Sequence, residues 1–312
     1  MSLVTLFVRP QTSPAAERVA CPQVDEHPFE LELPDGRRLS YMTCGAGDGP
    51  LVVVLDGPGS RGLARAAARA AAGLGVRLVA PDRPGFGTST QVAGDRLADW
   101  PRDHAALLDA LGARRAGILA QSGGTPYALA TAAALPERTI GVALVAPVGP
   151  LAEPAIRACS GAVLRRCALL GRRAPWLLRL GLMAAGRQMR KNPQRTAAKF
   201  AADLPPADAA FLREPLNWAI HQHSLAELLA HPTAMTGEIA RLTRPWDIDY
   251  DTISSPVALW SGDRDKVHPT AHARRLAELL HDAPVHVIPG AATFGLSAHY
   301  ADALAFAASH EA

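Results

Sequence analysis

Six short apolar runs recur along the chain: PLVVVLDG (50–57), VRLVAPD (76–82), AGILAQ (116–121), TIGVALVAP (139–147), PVALWSGD (256–263) and APVHVIPG (283–290). They do not alternate apolar with polar residues, so each reads as a strand covered on both faces, the kind found in parallel sheets between layers of helices. Helical patterns separate them: SRGLARAAARAAAGLG, LADWPRDHAALLDALG, the stretch from Thr125 to Leu135, and TAHARRLAELL. Ahead of the first run, FELELPDGRRLSYMTCG holds two alternating segments around Pro34-Asp35-Gly36, the chemistry of a β-hairpin. The expected fold is therefore α/β, with a mostly parallel eight-stranded sheet flanked by helices and opened by an antiparallel hairpin.

The alternation breaks between Pro147 and Pro256, where only helical patterns occur, punctuated by Pro175, Pro193, Pro205, Pro206, Pro215, Pro232 and Pro245. We read residues 150–250 as a helical cap inserted into a core made of 28–149 and 251–312. Residues 1–27, with Pro10, Pro14 and Pro22 and little periodicity, read as an N-terminal arm. Within the cap, residues 151–200 hold eleven Lys or Arg and one acid, Glu153; a solvated basic face explains this, and a basic rim steering an anionic ligand is the alternative.

Composition excludes several classes. A net charge of +3, with no basic run interleaved with aromatics, argues against nucleic acid. Cys21, Cys44, Cys159 and Cys167 show no CxxC spacing, which argues against a zinc site or a disulfide framework. The N-terminus lacks the basic and apolar regions of a signal peptide, and no apolar stretch is long enough to cross a bilayer. The expected setting is cytoplasmic and the expected partner a small-molecule substrate. No membrane, metal or organic cofactor is expected, and a homodimer is possible.

The residues that carry chemistry begin with Ala120-Gln121-Ser122-Gly123-Gly124, a buried strand running into a serine, two glycines and a helix. A nucleophile elbow needs small residues two before and two after the serine, because the tight turn brings their backbones together. With LDGPGSRG (55–62), PDRPGFGTST (81–90), RPWDIDYDTI followed by PVALWSGDRDKVHP (244–269), and VIPGAATFGLSAHY (287–300), this stretch resembles the cap-bearing branch of the α/β-hydrolase fold superfamily, in the family's order.

That resemblance implies roles. Ser122 matches the nucleophile, and Asp265 the acid of the Gly-x-x-Asp-x-x-x-Pro loop, with Asp263 as the less favoured alternative. Thr293 stands where the family's Pro-Gly-x-Gly-His has its histidine. The oxyanion hole would use Gly123 with the loop Gly57-Pro58-Gly59, which is one residue shorter than in the family and places Asp56 where a neutral His is usual. Gln121, Trp218 and His221 are candidate pocket residues, and Asp56 a candidate acid or base. His299 reads as an exposed helix residue, His268 as structural, and His221 and His223 as pointing to different faces of one helix.

Threonine cannot accept the serine's proton, so the expectation is a triad without its base, with no histidine nitrogen in reach of Ser122. The preferred reading is a non-hydrolytic enzyme, catalysing carbon–carbon bond formation, cyclisation or lyase chemistry on a small, largely apolar molecule. The alternatives are a serine esterase with a relocated histidine and a non-catalytic small-molecule-binding protein.

Overall fold

The computed structural model describes residues 28–309 apart from 58, 95 and 203. The expected arm over 1–27 lies outside the described residues. Strands β1 (Phe29–Glu32) and β2 (Arg38–Gly45) form the hairpin, and Gly36 takes the left-handed backbone (φ 80°) that its turn requires. There follow β3 (Leu51–Leu55), α1 (Ser60–Leu74), β4 (Arg77–Pro81), α2 (Trp100–Ala110), β5 (Ala116–Ser122), α3 (Thr125–Ala134) and β6 (Thr139–Pro147). After the helical stretch described below, the chain resumes with β7 (Val257–Gly262), α11 (Thr270–Leu279), β8 (Val285–Ile288) and α12 (Tyr300–Ala308). The sheet order is β1-β2-β4-β3-β5-β6-β7-β8, antiparallel at β1-β2-β4 and parallel elsewhere.

The uninterrupted apolar runs fill two cores, one on each side of the sheet. Along β3, Val53 and Leu55 point into a core shared with α2, α3 and α11, while Val52 and Val54 point into one shared with α1 and α12. This is the two-period of a strand expressed with apolar residues at every position. β8 lies at the sheet edge and is correspondingly half-exposed.

Between β6 and β7 the chain is helical: α4 (Pro154–Cys159), α5 (Ala162–Arg173), α6 (Pro175–Lys191), α7 (Pro193–Ala201), α8 (Pro206–Phe211), α9 (Pro215–Ala230) and α10 (Pro232–Leu242). Six of these seven begin at a proline, whose fixed φ suits the first helical position and whose missing N–H is not needed there. Proline punctuation thus marks helix starts. Among the described residues no helix is long and apolar enough to cross a membrane.

Candidate active site

Ser122 ends β5 with φ 49°, a left-handed conformation that a non-glycine residue adopts only where its surroundings impose it. The surroundings are tight. A Cβ on Gly124 would lie 2.1 Å from the Leu55 carbonyl oxygen, so glycine is required for β5 to turn into α3 beside β3. The Gly124 N–H donates to the Gln121 carbonyl (2.8 Å) and the Thr125 hydroxyl to the Ser122 carbonyl (2.7 Å), closing the turn. The serine hydroxyl is thereby presented above the N-terminus of α3.

The structure corrects the expectation that no histidine nitrogen reaches Ser122. His268 Nε2 lies 3.0 Å from Ser122 Oγ. The histidine comes from the loop between β7 and α11, three residues beyond Asp265, and the acid itself shapes that loop: Asp265 Oδ1 accepts the N–H groups of Val267 and His268, both at 2.8 Å. This Asx-type turn swings His268 back towards the serine. The reading of His268 as structural did not foresee this contact, because sequence spacing does not show how tightly such a turn folds. His299, by contrast, pairs with Asp302 near the surface, and His223 with Glu227.

His268 is buried, and burial holds its pKa below the ordinary histidine value against the opposing pull of Asp265. A neutral imidazole is the form that accepts a proton. Among the described residues its Nδ1 has no hydrogen-bond partner; it lies 3.9 Å from Asp265 Oδ2. That oxygen is taken by the Thr293 hydroxyl, which donates to it at 2.7 Å. Thr293 thus holds the Asp265 carboxylate. A closing movement of about 1 Å would bring Nδ1 into hydrogen-bond range of the carboxylate.

Gly57 and Gly123 face each other beside the serine. A Cβ on Gly57 would sit 3.2 Å from the Gly123 nitrogen and 3.4 Å from Ser122 Oγ, in the space an oxyanion needs. Pro58 lies outside the described residues. Gly59 caps α1 and has open space around its Cα. Sequence reasoning missed what holds this loop: the Gly57 carbonyl accepts from Arg83, which also pairs with Glu238 of α10 at 2.5 Å, both side chains being buried. Tyr127 donates to the other Glu238 oxygen (2.9 Å) and accepts from Arg241 (2.8 Å). A lone arginine inside the buried stretch VAPDRPG was the available signal.

A cavity of about 250 Å³ opens above Ser122, lined from the sheet side by Asp56, Gln121, Thr293 and Tyr300 and from the helical insertion by Phe211, Ile220 and His221. Its walls are mainly apolar. Burial pushes the Asp56 carboxyl up to about 7, with Glu238 adding to the rise and the Gly57 N–H bond (2.6 Å) and Arg83 opposing it. Tyr300 donates to Gln121 Oε1 at 2.7 Å, fixing both side chains. Trp218 does not line the cavity; it packs behind His221, ring centroids 5.8 Å apart. Burial lowers the His221 pKa. Among the described residues no group of three His, Cys, Asp or Glu side chains could hold a metal ion.

Residues 45–308 match the family model described as the alpha/beta hydrolase family. Solved structures with the same fold include an esterase from a Rhodococcus species (21% identity, 91% of this chain and 99% of that one, TM-score 0.64). A hydrolase from Pseudomonas aeruginosa (22%, 90% and 98%, 0.63) and an enol-lactonase from Burkholderia xenovorans (19%, 88% and 96%, 0.62) are also similar. Among curated proteins no sequence matches the chain closely enough to count as a relative.

Proposed function

The chain belongs to the alpha/beta hydrolase family, and from that premise we propose that it is a serine hydrolase that cleaves small, largely apolar esters through an acyl-enzyme. The observation that carries this reading is the 3.0 Å contact between Ser122 Oγ and His268 Nε2 at a strained elbow facing a mainly apolar cavity. Ser122 Oγ attacks the ester carbonyl while its proton passes to His268 Nε2. The oxyanion forms beside the Gly123 N–H, and Asp265 stabilises the imidazolium. Collapse breaks the ester C–O bond, and the leaving alkoxide takes the proton from His268. Water, deprotonated by the same nitrogen, then releases the acid. Residues 150–250 act as a cap that closes the cavity, and the neighbouring esterase and enol-lactonase structures agree with ester or lactone substrates.

A fluorophosphonate probe tests this directly. Rapid labelling of Ser122 that disappears in His268→Ala, together with turnover of short-chain p-nitrophenyl esters, is the expected result. Absence of labelling in the folded wild-type protein overturns it.

A second reading keeps the non-hydrolytic chemistry expected from the sequence. One observation favours it: Asp56, titrating near neutrality, faces the cavity beside the serine and could exchange a proton with a bound carbon acid. Inertness towards simple esters with Ser122 still reactive would support that alternative.

A further inference from the structure

Large exposed apolar side chains are unevenly placed. Trp176 is 65% exposed, Leu180 53% and Leu177 45%, all on the first turns of α6, and Val163 (61%) and Leu169 (47%) stand out from the adjoining α5. Trp176 and Leu180 are four residues apart, hence on one face of the helix. The opposite side of α6 is already satisfied, with Leu178 and Met189 buried and Met189 packed on Leu225 and Leu229 of α9. Internal packing therefore does not explain why α6 is apolar on its outer side as well.

The same surface is basic. Arg172, Arg173 and Arg179 are exposed around Trp176, and residues 151–200 hold eleven Lys or Arg against one acid. That acid, Glu153, pairs with Arg275 of α11. Among the described residues none of these three arginines has an acidic partner within ion-pair distance. A second copy of the chain would set this positive field against itself across a two-fold axis, and a nucleic acid would leave the leucines and valine without a partner.

We propose that the outer face of α5 and α6 docks on an anionic lipid surface, with Trp176, Leu177 and Leu180 entering the boundary between headgroups and acyl chains and the arginines meeting the phosphates. A helix with an apolar face, a tryptophan and flanking arginines lies in such an interface. Arginine stems cover apolar surface while their heads reach the charge. This departs from the expectation, drawn from the sequence, that no membrane partners the chain. It does not depend on the reaction proposed for Ser122. The docked face sits behind α9, whose other residues line the cavity, so docking would bring the cavity close to amphiphilic molecules.

The test is co-sedimentation of the full chain with vesicles of phosphatidylglycerol and phosphatidylcholine in equal parts, against phosphatidylcholine alone, at low and high salt. Binding to the anionic vesicles only, weakened by salt, is expected. Each arginine neutralised should lower the partition coefficient roughly fivefold, so R172Q/R173Q/R179Q should lose on the order of a hundredfold. W176S/L180S should lose binding while keeping the wild-type circular dichroism and melting temperature. Equal binding to both vesicle types, no binding by the folded wild-type chain, or undiminished binding by both folded variants would overturn the proposal. Self-association lost in W176S/L180S without any vesicle binding would also overturn it, identifying a second copy as the occupant.

Discussion

Two serine–histidine pairs lie side by side, the His268 and His272 rings 6.1 Å apart, and of their serines only Ser122 lines the cavity. Ser122 and His268 are 3.0 Å apart; Ser160 and His272 are 3.1 Å apart. The second pair is closed. Ser160 donates to the Ile156 carbonyl (2.8 Å), His272 Nδ1 accepts the Gly149 N–H (2.9 Å), and both residues are buried. The first pair has a His268 Nδ1 without a hydrogen-bond partner among the described residues, a carboxylate 3.9 Å from it, a serine at positive φ, and a cavity above. A serine–histidine contact marks a nucleophile only when the backbone presents the hydroxyl to a substrate and a third group awaits the charged imidazole.

The sharpest way to break this contrast is to delete each histidine. His268→Ala should lower kcat/KM by about 10⁴ to 10⁶, as loss of a triad base does. His272→Ala should leave activity per folded molecule intact while lowering unfolding free energy by about 2–4 kcal/mol, through a cavity and an unsatisfied Gly149 N–H. Ester kinetics and urea melts separate the two, and equal kinetic losses would remove the distinction.

Glycines beside the two serines offer the next comparison. Gly57→Ala places a methyl 3.2 Å from the Gly123 nitrogen and should reduce kcat by about 10² to 10³ in stopped-flow acylation. Gly161→Ala meets the Lys266 carbonyl at 2.5 Å and should be felt in the melting temperature.

Thr293→Val frees Asp265 Oδ2 from its hydroxyl donor, leaving a carboxylate better able to stabilise the imidazolium. The acid limb of the kcat/KM profile should move to higher pH, with kcat changed by no more than about tenfold. An unmoved limb would show that Asp265 does not act on His268.

Stability against pH sharpens the contrast further. Burial, helped by His268, pushes His272 down to about 3 from 6.5. The unfolded chain therefore binds a proton that the folded chain refuses between those values, and stability falls as pH drops through that window. His272→Gln should flatten this slope. Asp56 acts in the opposite sense: its carboxyl is raised from 3.8 to about 7, so the folded chain keeps a proton the unfolded one releases, and stability falls as pH rises through that range. Asp56→Asn should remove that slope, giving the smallest effect of the series in melts followed across pH.

Much of this was legible without a structure. The apolar runs specify strands buried on two sides, Pro34-Asp35-Gly36 specifies the hairpin, and the prolines between Pro147 and Pro256 punctuate a helical stretch, because each signal acts through its own few residues. Ser122 was legible for the same reason: Gly123, Gly124 and the strand before it are contiguous. The histidine beside it was not. Thr293 drew attention to the turn after β8, where the resemblance places a histidine, while His268, next to Asp265, was read as structural. Arg83 and Glu238 are 155 residues apart and meet only because α10 folds over the oxyanion loop.

The sequence by itself determined the layered sheet and the elbow at Ser122, since these depend on local periodicity and backbone geometry. The tertiary structure alone decided which histidine lies within reach of the serine. Direction and distance between side chains on different loops follow from how the sheet stacks those loops at its carboxyl edge, and spacing along the chain carries no measure of that.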